Sequence, residues 1–276
     1  MIDAHVHLWQ IGRHGCRWPG PDLPALHRDF VAADLSAVIA GIGVDRVILV
    51  QSQEDEADTR WLLSTAQAEP RVAGVIGWTD LSADDIGARL DAFAAAGPLV
   101  GIRPMVQDLD DDWFDDPERD AGFALLAARG LVLDALVRPG HLSSLARLAE
   151  RHPALSIVVD HLAKPSGGRV TTEWHDGMAR LAAMPQVGCK LSGLLTELAD
   201  GEAAAAILPA VAAAVAMFGT DRIIWGSDWP VVTMRSDYAD WLAIVRAATA
   251  TQAHPAIFGD NAARFYGLPA ASGPSA

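Results

Sequence analysis

Two histidines stand two residues apart in the first segment of the sequence, Met1-Ile2-Asp3-Ala4-His5-Val6-His7. Side chains two apart on a strand point to the same face, so His5 and His7 present two imidazoles together, with Cα atoms roughly 7 Å apart. Neutral imidazole is the commonest protein ligand of divalent transition metals. The pair could instead be an ordinary H-x-H on a solvated strand, but its apolar surroundings favour a metal site or a carbonyl-polarising site.

Further chemically capable side chains stand at the ends of later apolar runs, where a buried charge needs a partner. They are Gln51, Trp78, Arg103, His161, Lys190, Ser192 and Asp228. Taken singly, several have a structural alternative. His161 could be a hydrogen-bonded core histidine, and Lys190 could pair with a buried acid. Asp228 could cap a helix or pair with Arg103. If all of these side chains lie together at one edge of the fold, a reactive site is the better explanation.

Eight short apolar runs alternate with segments of helical periodicity. The runs predict strands near 2–7, 46–51, 72–78, 99–103, 131–137, 155–160, 187–192 and 222–227, and nearly continuous apolar strands are typical of a parallel sheet. The periodic segments predict helices near 34–41, 57–69, 82–96, 118–129, 142–151, 174–184, 202–218 and 237–250. This alternation predicts a single (β/α)8 TIM barrel over residues 1–269, whose strand ends would bring the polar residues together. A doubly wound sheet is the alternative, but the first turn lacks the glycine-rich phosphate fingerprint.

Two stretches interrupt the alternation. Residues 8–33 are far longer than an ordinary connection and contain Trp18, which we expect to form part of a pocket wall. The acidic run from Asp108 to Asp116 is interpreted as surface decoration rather than as part of a site. The tail from Ala270 onwards, rich in small residues, is predicted to be disordered.

Composition excludes several classes of partner. The formal net charge of −14 disfavours binding to nucleic acid or to an anionic membrane. No apolar run reaches the length of a membrane span, and no signal-peptide pattern is visible, so we expect a cytoplasmic protein. The only two cysteines, Cys16 and Cys189, cannot form a disulfide framework. The sequence leaves the oligomeric state open.

Several motifs together resemble a known family. They are Asp3-x-His5-x-His7, Val50-Gln51, Gly77-Trp78-x-Asp80-Leu81, Gly101-Ile102-Arg103, Asp160-His161-x-x-Lys164-Pro165, Lys190-Leu191-Ser192-Gly193, Gly226-Ser227-Asp228-Trp229-Pro230 and Asn261-Ala262-x-x-Phe265-Tyr266. In this order they resemble the lactonase-like branch of the amidohydrolase superfamily over nearly the whole chain. The combination is specific for the branch and not for a substrate.

The resemblance implies roles for individual residues. The positions that hold a metal or polarise the substrate in such enzymes correspond here to His5, His7, His161 and Asp228. Where binuclear members carry a carboxylated lysine at the end of strand four, this chain has Arg103, which instead matches a substrate anchor. Strand five ends in Leu136-Val137 without the histidine of many relatives. The resemblance therefore implies one divalent ion at most, which we expect to be zinc, and leaves metal-independent catalysis open.

We predict a hydrolase that opens the ring ester of a small lactone, most simply a sugar-acid lactone. Water deprotonated by Asp228 attacks the carbonyl, whose developing negative charge needs positive charge or hydrogen-bond donors. The predicted catalytic residues are Asp228, His161, Arg103 and Lys190, and the predicted substrate contacts are Gln51, Trp78, Arg103 and Trp18. The alternatives are a hydrolase of carboxylated aromatic-breakdown lactones, a metal-dependent decarboxylase of the same superfamily, and an inactive binding barrel.

Overall fold

Eight parallel strands lie side by side in chain order in the computed structural model, which describes residues 1–249 and 255–269. Strands β1 to β8 span Ile2–Val6, Arg46–Val50, Val72–Gly77, Leu99–Ile102, Val132–Ala135, Ile157–Val159, Val187–Leu191 and Ile223–Trp225. The chain after β8 returns to β1, because the Asp228 N–H donates to the His5 carbonyl at 2.9 Å and the His7 N–H donates to the Trp229 carbonyl at 2.8 Å. The sheet thus closes on itself, and the predicted (β/α)8 barrel is confirmed.

Helices surround the sheet and connect its strands. Helices α1 to α9 of the described ranges are Ala32–Val38, Glu56–Ala68, Ile86–Ala96, Asp120–Ala128, Leu142–Arg151, Thr172–Ala182, Leu208–Phe218, Tyr238–Ala248 and Asp260–Phe265. Two, α3 and α7, begin at least four residues later than predicted. Helix α3 starts after a turn in which Asp80 accepts hydrogen bonds from both the N–H and the hydroxyl of Ser82. Helix α7 follows a separate 3-10 turn and has Pro209 in its first turn, where a missing N–H costs no hydrogen bond.

The inside of the barrel has an apolar lower layer. It is formed by strand residues and by the chain around helix α9, namely Ile2, Ala4, Ile48, Val50, Ile76, Val132, Val158, Ile224, Ala262, Phe265, Tyr266 and Leu268. A larger apolar cluster packs the outside of the strands against the helices. These two layers bury both faces of every strand, which explains why the strands are nearly continuous apolar runs in the sequence.

The long segment between β1 and α1 is tied down at its base and at its tip. Trp9 and Phe30 exchange backbone hydrogen bonds of 2.9 and 3.0 Å, and the indole N–H of Trp9 donates to the Arg28 carbonyl at 2.8 Å. Near the tip, the side-chain amide of Gln53 accepts from the Trp18 N–H at 3.2 Å and donates to the Trp18 carbonyl at 2.7 Å. The loop therefore holds Trp18 in a fixed place at the C-terminal end of the barrel.

Two sequence predictions fall on residues outside the described ranges: the tail from Ala270 and the final residue of the last predicted helix, Ala250. Within the described ranges, none of the helices combines the length and the apolar character needed to cross a membrane.

Candidate active site

His5 of β1 and His7, just after that strand, face each other at the C-terminal end of the barrel. His5 Nε2 lies 3.2 Å from His7 Nε2, and both side chains are buried. The other ring nitrogen of His7, Nδ1, lies 2.8 Å from the Val50 carbonyl oxygen. Because a carbonyl oxygen only accepts hydrogen bonds, this contact places the proton of a neutral His7 on Nδ1. Its Nε2 lone pair therefore points towards His5.

Asp228 brings a carboxylate to the same place from the chain after β8. Its Oδ1 lies 3.3 Å from His7 Nε2 and 3.7 Å from His5 Nε2. Gly226 makes this approach possible, since a Cβ there would lie 2.6 Å from the His5 Cβ. Burial by itself would raise the pKa of Asp228, but the nearby imidazoles, with His161 first, outweigh burial and hold this pKa well below its usual value. Asp228 is therefore a carboxylate at neutral pH.

His161 reaches the site from an unusual turn after β6. The four residues from His161 to Lys164 all have φ between 51° and 57°, in the left-handed region that costs an L-residue roughly 1–2 kcal/mol. The turn is fixed where the Trp174 indole N–H donates to the Leu162 carbonyl at 2.6 Å. His161 Nδ1 lies 2.9 Å from Ser192 Oγ, and burial lowers the pKa of His161 to about 4. The ring is thus neutral and faces the other two histidines.

These donors fit a divalent metal ion such as zinc. Ligand atoms of His5, His161 and Asp228 all lie within 4.8 Å of one another. Atoms bound at about 2.1 Å to a tetrahedral ion are roughly 3.4 Å apart, and the separations among His5, His7 and Asp228 are 3.2, 3.3 and 3.7 Å. Neutral imidazoles and one carboxylate are the ligand types that zinc prefers. All four predicted metal ligands are therefore brought together.

Arg103 lies beside this cluster in a fixed orientation. Its Nη1 is 3.3 Å from His5 Nε2 and 3.5 Å from a carboxylate oxygen of Asp160, and its Nη2 donates to the Gln51 carbonyl. The Gln51 side chain in turn donates to the Arg103 carbonyl at 2.8 Å. The guanidinium adds positive charge next to the histidines, which stabilises an anion there and weakens the attraction for a metal cation.

A cleft of about 350 Å³ opens above these groups. Trp18, His7, Arg103, His161 and Asp228 line it, so that Trp18 lies where a pocket wall was expected. Further polar contacts come from Ser52, Gln107, Asp108, Lys164 and Thr196, and apolar ones from Met105, Leu136 and Val231. The cleft therefore combines a reactive floor with a mixed polar and apolar wall.

Comparison with known proteins decides the family. The amidohydrolase family matches residues 2–268. The chain belongs to this family. It is 43% identical to the L-fucono-1,5-lactonase of Burkholderia ambifaria over 282 residues, which cover 99% of this chain and 97% of that protein. It is 32% identical to the L-fucono-1,5-lactonase of Burkholderia multivorans, with 97% and 96% covered.

A solved structure of similar shape is that of an amidohydrolase from Burkholderia multivorans with bound zinc. It superposes on this chain with a TM-score of 0.91 at 33% identity, covering 97% of this chain and 99% of the other. The predicted resemblance to the lactonase-like amidohydrolases is confirmed. A divalent metal in this amidohydrolase is supported by that relative and by the histidine and aspartate cluster.

Two predicted substrate contacts of this amidohydrolase lie outside the cleft. Gln51 is fully buried behind Arg103, where its backbone carbonyl accepts from the guanidinium. Trp78 is held by Thr59, which accepts from the Trp78 N–H at 2.8 Å, and it lines a neighbouring cleft together with Pro104 and Trp113. Both residues do stand at strand ends, but the strand end alone does not fix the direction of the side chain.

Lys190 lies one layer below the cleft. Its side chain is fully buried, with Nζ 3.1 Å from Asp160 Oδ1, 3.3 Å from His5 Nδ1 and in contact with Asp134 Oδ2. The hydroxyl of Tyr266 donates to the other carboxylate oxygen of Asp134 at 2.7 Å. Lys190 thus reaches the cleft only through His5. Sequence analysis missed Asp134, for which the only signal is a single acid within an apolar strand.

Proposed function

We propose that this protein is a lactonase that hydrolyses the ring ester of a sugar-acid 1,5-lactone, with L-fucono-1,5-lactone as the first candidate. The observation that carries the proposal is the ionised carboxylate of Asp228 in a cleft that also presents imidazoles and the Arg103 guanidinium. These groups match the needs of ester hydrolysis, a base for water and donors for an oxyanion. The names of the two curated relatives support the same reaction and favour it over the decarboxylase alternative.

Asp228 acts as the general base of the proposed reaction. It takes a proton from water as the water oxygen bonds to the lactone carbonyl carbon, and the carbonyl π electrons move onto oxygen. When this oxyanion collapses, the bond between the carbonyl carbon and the ring oxygen breaks. The leaving alkoxide receives the proton held by Asp228, which gives one hydroxy acid from one lactone and one water. Arg103 lies on the same floor and stabilises the oxyanion by hydrogen bonding and charge, and the His161 ring lies beside it.

We further propose that zinc is the resident ion, held by His5, His7, His161 and Asp228. When bound, zinc supplies Lewis acidity at the carbonyl oxygen and lowers the pKa of water. Arg103 supplies a second positive group beside His5, held by the Gln51 carbonyl and by Asp160.

The cleft walls favour a polyhydroxylated ring over a dicarboxylate. Trp18 offers an aromatic face for the C–H face of a sugar ring, while Gln107 and Thr196 offer hydrogen bonds for hydroxyl groups. Lys164 adds a cation, but its Nζ lies 3.3 Å from a carboxylate oxygen of Glu197, which neutralises it. A substrate with two carboxylates would in addition meet Asp108. Sugar-acid lactones are therefore preferred to carboxylated aromatic-breakdown lactones.

A hydrolysis screen tests the proposal. Acid release is followed with a pH indicator over sugar-acid 1,4- and 1,5-lactones and carboxylated pyrone lactones, and carbon dioxide release is followed with aromatic carboxylic acids. We expect the highest kcat/KM with L-fucono-1,5-lactone or a close stereoisomer. The Asp228→Asn variant is the matched inactive control. Acid release no faster than in buffer for every lactone, or carbon dioxide release, would contradict the proposal.

Metal analysis tests the ion separately. Protein purified without chelator should contain about one equivalent of zinc per chain, because the cleft gathers one set of zinc-type ligands. Chelation should abolish most activity and added zinc should restore it, while His7→Ala should lose the ion. Metal-free protein with full activity would show that His5, His7 and His161 polarise the carbonyl directly.

A further inference from the structure

A second cluster of metal-type ligands lies directly below the cleft. His5, Asp134 and Asp160 are each 0% exposed, and their ligand atoms lie within 4.8 Å of one another. His5 belongs to both clusters, since its Nε2 faces His7 and Asp228 while its Nδ1 faces the lower group. By ligand type and spacing alone, the lower cluster could take a cation.

The ammonium of Lys190 already stands in this lower cluster. Its Nζ contacts one carboxylate oxygen of Asp134 and lies 3.1 Å from Asp160 Oδ1 and 3.3 Å from His5 Nδ1. An ammonium only donates hydrogen bonds; this one donates to Asp134 and forms an ion pair with Asp160, whose Oδ1 also lies 3.4 Å from His5 Nδ1. One cation therefore meets the same three side chains that a metal ion would need.

The charges of the layer balance only when Lys190 is counted. Asp134 and Asp160 contribute two negative charges, Lys190 contributes one positive charge, and Arg103, 3.5 Å from Asp160, contributes another. Leaving two buried carboxylates without a cation is strongly unfavourable.

The layer is also sealed from below. The hydroxyl of Tyr266 donates to Asp134 at 2.7 Å, and its ring lies 5.3 Å from Lys190 Nζ. The apolar lower layer of the barrel, to which Tyr266 belongs, continues beneath it. Whatever neutralises the two carboxylates must therefore come from the chain itself or enter from the cleft.

We propose that Lys190 is a tethered cation that fills a second metal-type site made by His5, Asp134 and Asp160. It is a positioning residue: it holds Asp134 and Asp160, whose Oδ1 lies 3.4 Å from His5 Nδ1, and it restricts exchangeable metal binding to the upper cluster. The proposal goes beyond the lactonase function and does not depend on it, because it concerns an ion site that can be measured without substrate.

Metal counting on Lys190→Ala is the first test. The variant and the wild type are stripped with chelator, titrated with Mn²⁺ and analysed for bound metal. We expect one more equivalent of Mn²⁺ per chain in Lys190→Ala than in the wild type. Lys164→Ala is the matched control, since Lys164 is the other lysine of the sequence and pairs with Glu197 outside the lower cluster. It should keep the wild-type count. An unchanged count in Lys190→Ala would overturn the proposal.

Chemical rescue is the second test. Lys190→Ala removes the atoms of propylammonium, so propylammonium should raise the Tm of this variant and leave that of the wild type unchanged. Propan-1-ol has the same length without the charge and should have little effect. Equal effects of the amine and the alcohol would indicate that Lys190 only fills space, and would overturn the proposal.

A charge-balanced variant covers the case in which Lys190→Ala does not fold. Lys190→Met keeps most of the volume but leaves Asp134 and Asp160 with one cation fewer. Lys190→Met/Asp134→Asn removes one negative charge as well, and we expect it to be recovered as folded protein with a higher Tm than Lys190→Met. A double variant no more stable than Lys190→Met would contradict the tethered-cation role.

Discussion

The acidic loop Asp108–Asp116 and the buried layer of Asp134, Asp160 and Lys190 use carboxylates in opposite surroundings. On the loop, Asp115 pairs with Arg147 and with Arg151, whose side chains are 45% and 39% exposed. In the layer, every side chain is 0% exposed and the acids share one ammonium. Exposed ion pairs contribute roughly 0–1 kcal/mol to the free energy of unfolding, whereas breaking a buried ion pair lowers it by about 3–5 kcal/mol.

The difference shows where the excess negative charge of the protein resides. The formal charge of −14 is carried outside the buried layer, whose two carboxylates are matched by Lys190 and Arg103. Asp108 brings the acidic loop to the cleft above the layer, since it pairs with Arg138 at 3.5 Å and lines the cleft. The buried carboxylates thus lie beneath the site, whereas Asp115 of the loop ties the loop to helix α5.

Asp228 is the buried carboxylate whose removal should have the largest effect. Asp228→Asn keeps the shape of the side chain but cannot accept a proton from water, so kcat should fall about 10²–10⁴-fold. Steady-state kinetics on the preferred lactone measure the loss, and circular dichroism verifies the fold. Turnover near that of the wild type would remove Asp228 from the mechanism.

Arg103 should show the next largest effect. Arg103→Met removes a charge-assisted contact of roughly 1.5–3 kcal/mol, which corresponds to about a 10–100-fold loss in kcat/KM. Arg103→Lys should recover little, because an ammonium cannot contact Gln51, Asp160 and substrate from one planar group. Full recovery by lysine would mean that only the charge matters.

Asp58 is a buried acid without an adjacent ammonium, and it tests how burial shifts the pKa of a carboxyl group in that case. It accepts from the Ser52 N–H at 3.0 Å, and burial raises its pKa from 3.8 to about 7. The folded state therefore keeps a proton that the unfolded state loses between about pH 4 and 7, and this group makes the free energy of unfolding fall as pH rises through that window. In Asp58→Asn, the fall in the free energy of unfolding across this pH window should be smaller by roughly 2–4 kcal/mol. Urea unfolding at several pH values measures the difference. An unchanged pH profile would argue against the raised pKa.

Asp115 should show the smallest effect. Asp115→Asn weakens exposed pairs with Arg147 and Arg151, so the free energy of unfolding should change by about 1 kcal/mol or less. Urea unfolding and kinetics at fixed pH measure this variant beside Asp228→Asn. A large loss of activity would show that the Asp115 pairs of the acidic loop, and not only the buried carboxylates, are needed for the reaction.

The barrel and the clustering of side chains at its strand ends could be predicted from the sequence, because both follow from simple periodicities. Strands buried on two faces give continuous apolar runs, and parallel strands end at one rim. The same reasoning expected His161 and Asp228 to meet His5 and His7 at that rim, whereas their role as metal ligands was implied by the family resemblance.

The direction of single polar side chains could not be predicted in the same way. Asp3 and Asp134 are both lone acids in apolar strands, yet Asp3 accepts from the Tyr238 hydroxyl of helix α8 at 2.7 Å, whereas Asp134 meets Lys190. Which of the two faces the site depends on the partner that the rest of the chain supplies. Gln51 and Trp78 were expected in the cleft for the same reason, and they lie beside it.

The left-handed turn from His161 to Lys164 has a consequence for the order of folding. Its four residues, none of them glycine, oppose the handedness that L-residues prefer. We expect a peptide of residues 157–166 to turn the other way in solution, which backbone NMR couplings would show. The imidazole of His161 would then reach the cleft only after helix α6 supplies Trp174 and the chain just after strand β7 supplies Ser192. In that case the active site forms only in the last steps of folding, and partly folded chains are inactive.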